Sequence, residues 1–223
     1  QVAEALAGGV VRNAVNAPSV DARTYEILAP SLDLCCRLGK FLSQLCKPPV
    51  RSMEIRFSGT MCKHTTDPLS TRLLCGFLTN HDSEMVNDVN AHYLAKELGI
   101  HITESRADET ESVYAGLVSV TTTNDSGQVV DIRGSINAIN EPRIVVMDNK
   151  NVDAKLDGPM LVLQNKDQPG TIGSVATAIG NMNINIGSMT WGRVTPGGDA
   201  ITILNVDEPI TPDLEKEIRD LPG

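Results

Sequence analysis

Aromatic residues, basic charge and long apolar runs are all scarce in this chain of 223 residues. Phe, Trp and Tyr together make up 3% of it, which argues against a stacking surface for single-stranded nucleic acid. The net charge is −9, and nucleic-acid affinity comes largely from clustered Lys and Arg. No stretch approaches the roughly 18 apolar residues of a membrane span. We therefore expect neither nucleic acid nor a membrane as a partner.

Several catalytic and cofactor signatures are also missing. No G-x-G-x-x-G motif follows a predicted strand, so these residues carry no dinucleotide fingerprint. The four histidines have no triad spacing, and the five cysteines have no tight zinc-ligand spacing. Cys35 and Cys36 are adjacent, but only Arg37 is placed to lower a thiol pKa. We expect free thiols in a reducing compartment, no catalytic residue, no metal site and no cofactor in this chain.

The first twenty residues read as the end of a helix and a connector. The chain opens at Gln1, a helical pattern closes at Gly8 and Gly9, and an extended segment follows. A chain that opens inside a helix is expected to be a fragment of a longer protein.

Residues 21–157 show mixed helical and strand patterns. Apolar residues over 22–46 recur at steps of three and four, although Pro30 and Ser31 suggest a break there. Further helices are predicted after Pro68 and at 88–98, with strands at 51–59, 101–107, 118–122, 130–136, 143–148 and 151–158. The region is predicted to be one α+β unit with an antiparallel sheet of three or more strands.

Residues 158–223 follow a regular order. Asp157-Gly158-Pro159 marks a boundary, and the elements after it are predicted as β-α-β-β-α. One more strand would complete a ferredoxin-like βαββαβ unit, so we expect the last strand to be missing. The overall class is α+β with two domains.

The turn between the first strand and helix of this second region has the chemistry of an amino-acid site. Pro169 fixes the turn, Gly170 permits close approach of a ligand, and free N–H groups at the helix start favour a carboxylate. Asp167 would accept an ammonium, and Asn185 offers both a donor and an acceptor. The structural alternative is that Asp167 caps the helix and Asn185 lies in a turn.

The run DQPGTIGSVATAIGNMNINIGSM closely resembles an ACT domain, a small amino-acid-sensing module. The region before it resembles the intervening, or allosteric substrate-binding, domain of D-3-phosphoglycerate dehydrogenases. The opening QVAEALAGGVVRNAVNAPSV is similar to the junction that leaves their cofactor-binding domain. This resemblance implies a connector at 1–20, an intervening domain at 21–157 and an ACT domain at 158–223. Serine dehydratases carry a related intervening domain and remain a competitor.

In that family, ACT domains pair side by side and bind L-serine at the interface. The resemblance places Asp167 and Asn165 on one copy and Asn185 on the other, although Asn165 departs from the family's usual His or Tyr. The implied effector-binding set is Asn165, Asp167, Pro169, Gly170, Ile172 and Asn185.

Some members of the family also hold an anion or a phosphorylated substrate in the intervening domain. Two of the basic positions match Arg143 and Lys155. A third falls at Asn205, which is not basic, and Arg193 is the candidate to compensate. The alternative is two ordinary surface charges.

The resemblance implies a regulatory region of an NAD-dependent oxidoreductase of serine biosynthesis that acts on 3-phosphoglycerate. We expect a homo-oligomer through both domains, NAD only in the parent protein, and a cytoplasmic location, or a plastid for the parent. Two alternatives stay open: a serine-dehydratase-type subunit, whose iron–sulfur centre needs clustered cysteines, and a module for another amino acid.

Overall fold

A computed structural model describes residues 22–79, 86–109 and 113–221, and the predicted connector at 1–20 lies outside them. The chain is α+β with two sheets, as expected. The helices are α1 (Ala22–Leu45), α2 (Asp67–Leu78), α3 (Ala91–Glu97), α4 (Thr171–Asn181) and α5 (Pro212–Arg219), with a 3-10 turn at Thr60–Lys63. The strands are β1 (Val50–Gly59), β2 (His101–Ala107), β3 (Gly116–Asn124), β4 (Val129–Ile136), β5 (Pro142–Met147), β6 (Lys150–Lys155), β7 (Met160–Lys166), β8 (Ile186–Arg193) and β9 (Asp199–Val206).

The two sheets have strand orders β2-β1-β3-β4-β5-β6 and β7-β9-β8. The chain divides into two compact units, one running to Val130 and including Gly134–Pro142, the other made of Asp131–Arg133 and the residues from Arg143 onward. The β5–β6 hairpin therefore belongs to the second compact unit. The sequence-based domain boundary between residues 157 and 158 stays a prediction.

Helix α1 runs without a break through Pro30, so the predicted interruption there is wrong. Proline removes one backbone hydrogen bond, but packing of an amphipathic face supplies most of the stability of a helix in a protein. The face of α1 that carries Leu28, Leu32, Leu38 and Leu42 is buried. That burial outweighs the local cost of the proline.

The first sheet is mixed rather than purely antiparallel. Strand β1 pairs antiparallel with β3 but parallel with β2. Helices α2 and α3 lie between β1 and β2 in the chain, and such a crossover connection permits parallel pairing. The alternating pattern of 51–59 predicted the strand but carried no information on the direction of its neighbour.

Helices α1 and α2 each place a glycine against the backbone of the other helix. A Cβ on Gly39 would overlap the carbonyl oxygen of Leu73, and a Cβ on Gly76 would overlap that of Cys36. Backbone therefore meets backbone at both glycines, which leaves no flexible side chain to move aside.

From β7 onward the chain has the predicted β-α-β-β-α order, and over the described residues to 221 its three strands form one sheet. Helices α4 and α5 cover one face of this sheet. The core there consists of Leu161, Val175, Ile179, Leu204, Val206 and Leu214.

We expect Gly76→Ala to destabilise the chain by about 1–3 kcal/mol or more, because the added methyl group must displace backbone. Gly180→Ala is the matched control. Among the described residues, nothing beyond the helix's own backbone lies within 4 Å of a Cβ at position 180, and alanine is the better helix former. Urea unfolding followed by circular dichroism measures both. If Gly76→Ala left the free energy of unfolding unchanged, or if Gly180→Ala lowered it as well, the packing described would be contradicted.

Candidate functional site

The loop between β7 and α4 begins at Asp167 and turns at Gly170. Gly170 has φ 94°, a left-handed conformation that favours glycine, and is the N-cap of α4. No side chain of the described residues caps this helix. Asp167 therefore does not cap the helix, and that structural alternative is wrong. Pro169 and Gly170 are exposed, and Ile172 in the first turn of α4 is also exposed.

The Asp167 carboxylate faces the β8–β9 hairpin instead. Its Oδ2 accepts hydrogen bonds from the Arg193 guanidinium at the end of β8 and from the Gly197 backbone N–H, the latter at 2.9 Å. The Asp167 N–H donates in turn to the Gly198 carbonyl at 2.9 Å. Both contacts with the carboxylate fall on Oδ2, and over the described residues no hydrogen bond reaches Oδ1. The side chain as a whole is 17% exposed.

These contacts lower the pKa of the Asp167 carboxyl. The larger cause is the Gly197 N–H and the second is the Arg193 side chain. The group is therefore a carboxylate at neutral pH, which is the form that holds an ammonium.

Asn165 lies at the same end of the sheet. In the strand register Asn165 pairs with Ala200, and Ala200 pairs with Arg193 on its other side, so the three form one row across the sheet. The Asn165 Nδ2 donates to the Lys166 carbonyl at 2.8 Å, and its Oδ1 accepts from the Thr202 hydroxyl at 3.3 Å.

Asn185 lies at the opposite end of the sheet. Both β7 and β8 run antiparallel to β9, so they point the same way; Asp167 follows β7, whereas Asn185 precedes β8. A strand of seven or eight residues at about 3.3 Å each puts roughly 25 Å between them. The Asn185 Nδ2 donates to Asp207 at 2.6 Å, and its backbone N–H donates to Glu208 at 2.9 Å. One chain therefore does not bring Asp167 and Asn185 together.

The two expected anion-binding residues are direct neighbours. Arg143 on β5 and Lys155 on β6 are register partners. Both already face carboxylates of the same chain. Arg143 donates to the Asp153 side chain at 2.8 Å and to its carbonyl at 2.6 Å, while Lys155 lies 3.8 Å from Asp157.

Arg193 does not compensate for the missing third basic residue. The Asn205 Nδ2 donates to the carbonyls of Lys155 at 3.0 Å and Asp157 at 2.8 Å, so Asn205 supports the backbone beside the basic pair. Arg193 pairs with Ala200, five residues along β9, which is about 17 Å away.

The adjacent cysteines do not form a reactive thiol pair. Cys35 is fully buried, and burial raises its pKa. Burial, followed by the Asp88 charge, raises the pKa of Cys75 to about 12. Arg37, the residue expected to lower a thiol pKa, forms an ion pair with Asp33 instead.

Across residues 22–79, 86–109 and 113–221, no group of three or more His, Cys, Asp or Glu side chains is arranged to hold a metal ion.

Family comparison now adds to this geometry. The model of the D-3-phosphoglycerate dehydrogenase intervening domain matches residues 27–148, and the ACT domain model matches residues 160–223. The chain belongs to the D-3-phosphoglycerate dehydrogenase family. It corresponds to the C-terminal regulatory part of those enzymes, as the sequence resemblance implied.

Curated relatives agree with this assignment. The chain is 32% identical to the D-3-phosphoglycerate dehydrogenase of Bacillus subtilis and 30% identical to that of Methanocaldococcus jannaschii, each over all of this chain and 42% of the relative. It is 29% identical to the chloroplastic D-3-phosphoglycerate dehydrogenase 3 of Arabidopsis thaliana, over 98% of this chain and 40% of the relative. The chain thus spans about two fifths of the length of these relatives. Among the described helices, none is long and apolar enough to cross a membrane.

Sequence reasoning missed the tie between Asp167 and the β8–β9 hairpin. The available signal was Thr195-Pro196-Gly197-Gly198, which begins two residues after Arg193 and predicts a tight turn at the strand end. Without the strand register, nothing placed this turn beside Asp167.

We expect the Asp167 carboxyl to titrate below its ordinary pKa of 3.8. Because the folded-state pKa is depressed, the contacts stabilise the fold above pH 3.8, and this stability is lost as the pH falls through the folded pKa. Carboxyl 13C NMR measures the midpoint. In Arg193→Gln the pKa should rise but stay depressed, since the Gly197 N–H remains. A wild-type midpoint at or above 3.8 would contradict the geometry.

Proposed function

We propose that this chain is an effector-binding regulatory region that binds L-serine between the ACT domains of two copies. Asp167 holds the ammonium of the amino acid, Asn165 lies beside it, and Asn185 comes from the second copy. The loop residues Pro169 and Gly170 and the side chain of Ile172 line the site.

The observation that carries this proposal is the separation of Asp167 from Asn185 along the same sheet. A site that uses both must take one from each of two chains, because roughly 25 Å is far beyond the reach of a single amino acid. A homo-oligomer is therefore part of the function and not an incidental property.

The edge position of β8 supports this arrangement. In the order β7-β9-β8, one edge of β8 has no strand partner among the residues that the structure describes. Two such edges that pair antiparallel about a twofold axis put the start of one β8 opposite the end of the other. Asn185 precedes β8 and Arg193 ends it, so this pairing brings Asn185 toward the Asp167 end of its partner.

The parent activity follows from the family. We propose that the whole protein is an NAD-dependent oxidoreductase that oxidises 3-phosphoglycerate in serine biosynthesis, with NAD held outside this chain, in the cytoplasm or, for a plant relative, in a plastid. Serine is the end product of that route, so its binding to this region would regulate the enzyme that leads to it. The match to the D-3-phosphoglycerate dehydrogenase intervening domain, and the relatives of that name reported above, do not favour the serine-dehydratase alternative.

The intervening domain supplies a second proposed site. Arg143 and Lys155 are adjacent on neighbouring strands, and two cations at that spacing suit a phosphate or a phosphorylated acid. Asp153 and Asp157 occupy them in this structure, so an anion would have to displace these carboxylates.

Mixing two inactive variants tests the shared serine site. Asp167→Ala and Asn185→Ala should each abolish L-serine binding measured by titration calorimetry. When the two are unfolded together and refolded, about a quarter of the wild-type sites should return, because half of the dimers are mixed and each has one intact site.

Asn181→Ala is the control, since that side chain is an exposed residue at the end of α4 and should leave binding unchanged. Wild-type chain that binds no serine would overturn the function. Binding that does not return on mixing would overturn the two-chain site.

The anion site is tested with 3-phosphoglycerate and inorganic phosphate. We expect Lys155→Gln to weaken the binding of either ligand about tenfold or more, because a charge-assisted hydrogen bond is lost. Lys216→Gln on exposed α5 is the matched control. Equal affinities for wild type and Lys155→Gln would show that these two cations are ordinary surface charges.

A further inference from the structure

Asp167 and Arg193 each use only part of their hydrogen-bonding capacity. Asp167 engages Oδ2, and Arg193 engages it through one amino group, Nη1. Within the part of the chain that the structure describes, the Nε and Nη2 groups of Arg193 donate to no other side chain or carbonyl. The Arg193 side chain is 47% exposed, so these donors reach the surface beside the free oxygen of Asp167.

This pair is complementary to a zwitterion. A free carboxylate oxygen accepts an ammonium, and free guanidinium N–H groups donate to a carboxylate in a planar fork. The contact with Asp167 fixes one side of the Arg193 guanidinium, so the other donors are held in place at a lower entropic cost than in a free side chain. The two charges cancel each other, which suits a ligand without net charge.

A competing place for the carboxylate is the start of α4. Its first N–H groups carry only the partial charge of the helix dipole, and Gly170 offers no side-chain donor there. A guanidinium carries a full charge and binds carboxylates through two parallel hydrogen bonds. Arg193 is therefore the stronger partner.

We propose that Arg193 binds the α-carboxylate of the amino acid whose α-ammonium is held by Asp167. This inference rests on the proposed serine site and adds a specificity-determining residue to it. Asp167 and Arg193 together bind the α-ammonium and the α-carboxylate, which all amino acids share. Asn165, and Asn185 of the second copy, are then available to bind the hydroxyl of the serine side chain.

The test compares L-serine with L-serinamide, which has the same side chain but a neutral amide. Titration calorimetry on the full chain at pH 6 measures both ligands with wild type, Arg193→Gln and Arg193→Lys. We expect wild type to prefer L-serine by about tenfold or more, because the amide loses a charge-assisted pair. Arg193→Gln should bind the two within about twofold, and Arg193→Lys should keep part of the preference.

Arg219→Gln is the matched control, because that arginine lies exposed on α5 in an ion pair with Glu215. If Arg193→Gln or Arg193→Lys keeps the full preference for L-serine while binding it, the carboxylate lies elsewhere and this inference is wrong, although the serine site stands. Wild type that binds neither ligand would overturn the site and the inference together. Equal loss of both ligands in Arg193→Gln would show a merely structural role.

Discussion

Strand β9 is buried on both faces, and the organisation of the second unit follows from that constraint. Leu204 and Val206 belong to the core that α4 and α5 cover. Ile201 and Ile203, which point the other way, are each 1% exposed. Their register partners on β8, Gly192 and Thr190, touch β6. A three-stranded sheet with helices on one face alone would leave these isoleucines in water, so the β5–β6 hairpin completes its core.

The contact of the β5–β6 hairpin with the sheet requires a glycine at position 192. A Cβ on Gly192 would lie 2.7 Å from the Asn151 carbonyl oxygen and 2.8 Å from the Val152 side chain. Beside it, the Thr190 hydroxyl donates to the Asp153 carbonyl at 3.1 Å, and Asp153 is the residue that holds Arg143. Strand β8 thus contacts Asp153, the partner of Arg143, at its midpoint and ends at Arg193. The two proposed sites therefore share one packed body, although coupling requires that a ligand bind two arrangements of it unequally.

The sequence predicts the elements of this fold well, because each depends on local periodicity and turn residues. The strand at 101–107 and the alternation of helix and strand after residue 158 are examples. Relations between distant segments are different. The parallel direction of β2, the passage of α1 through Pro30 and the position of Asp167 against Gly197 depend on packing and register. The chemistry of the turn and the resemblance together supplied the candidate site residues, but only the register showed that Asp167 and Asn185 lie at opposite ends of the sheet.

Stability accounts for only a small part of the reason for the Asp167–Arg193 pair. Ion pairs at the surface contribute little to folding, since solvent screens them and two side chains must be ordered. The hairpin is already closed by backbone contacts, among them the Asp167 N–H to the Gly198 carbonyl and the Gly198 N–H to the Thr195 carbonyl. What the pair does achieve is to fix a carboxylate and a guanidinium side by side, each with unused hydrogen-bonding capacity. The entropy of the two side chains is then lost on folding and not on binding. A ligand that uses both groups binds more tightly for that reason, and such preorganisation is expected of a binding site.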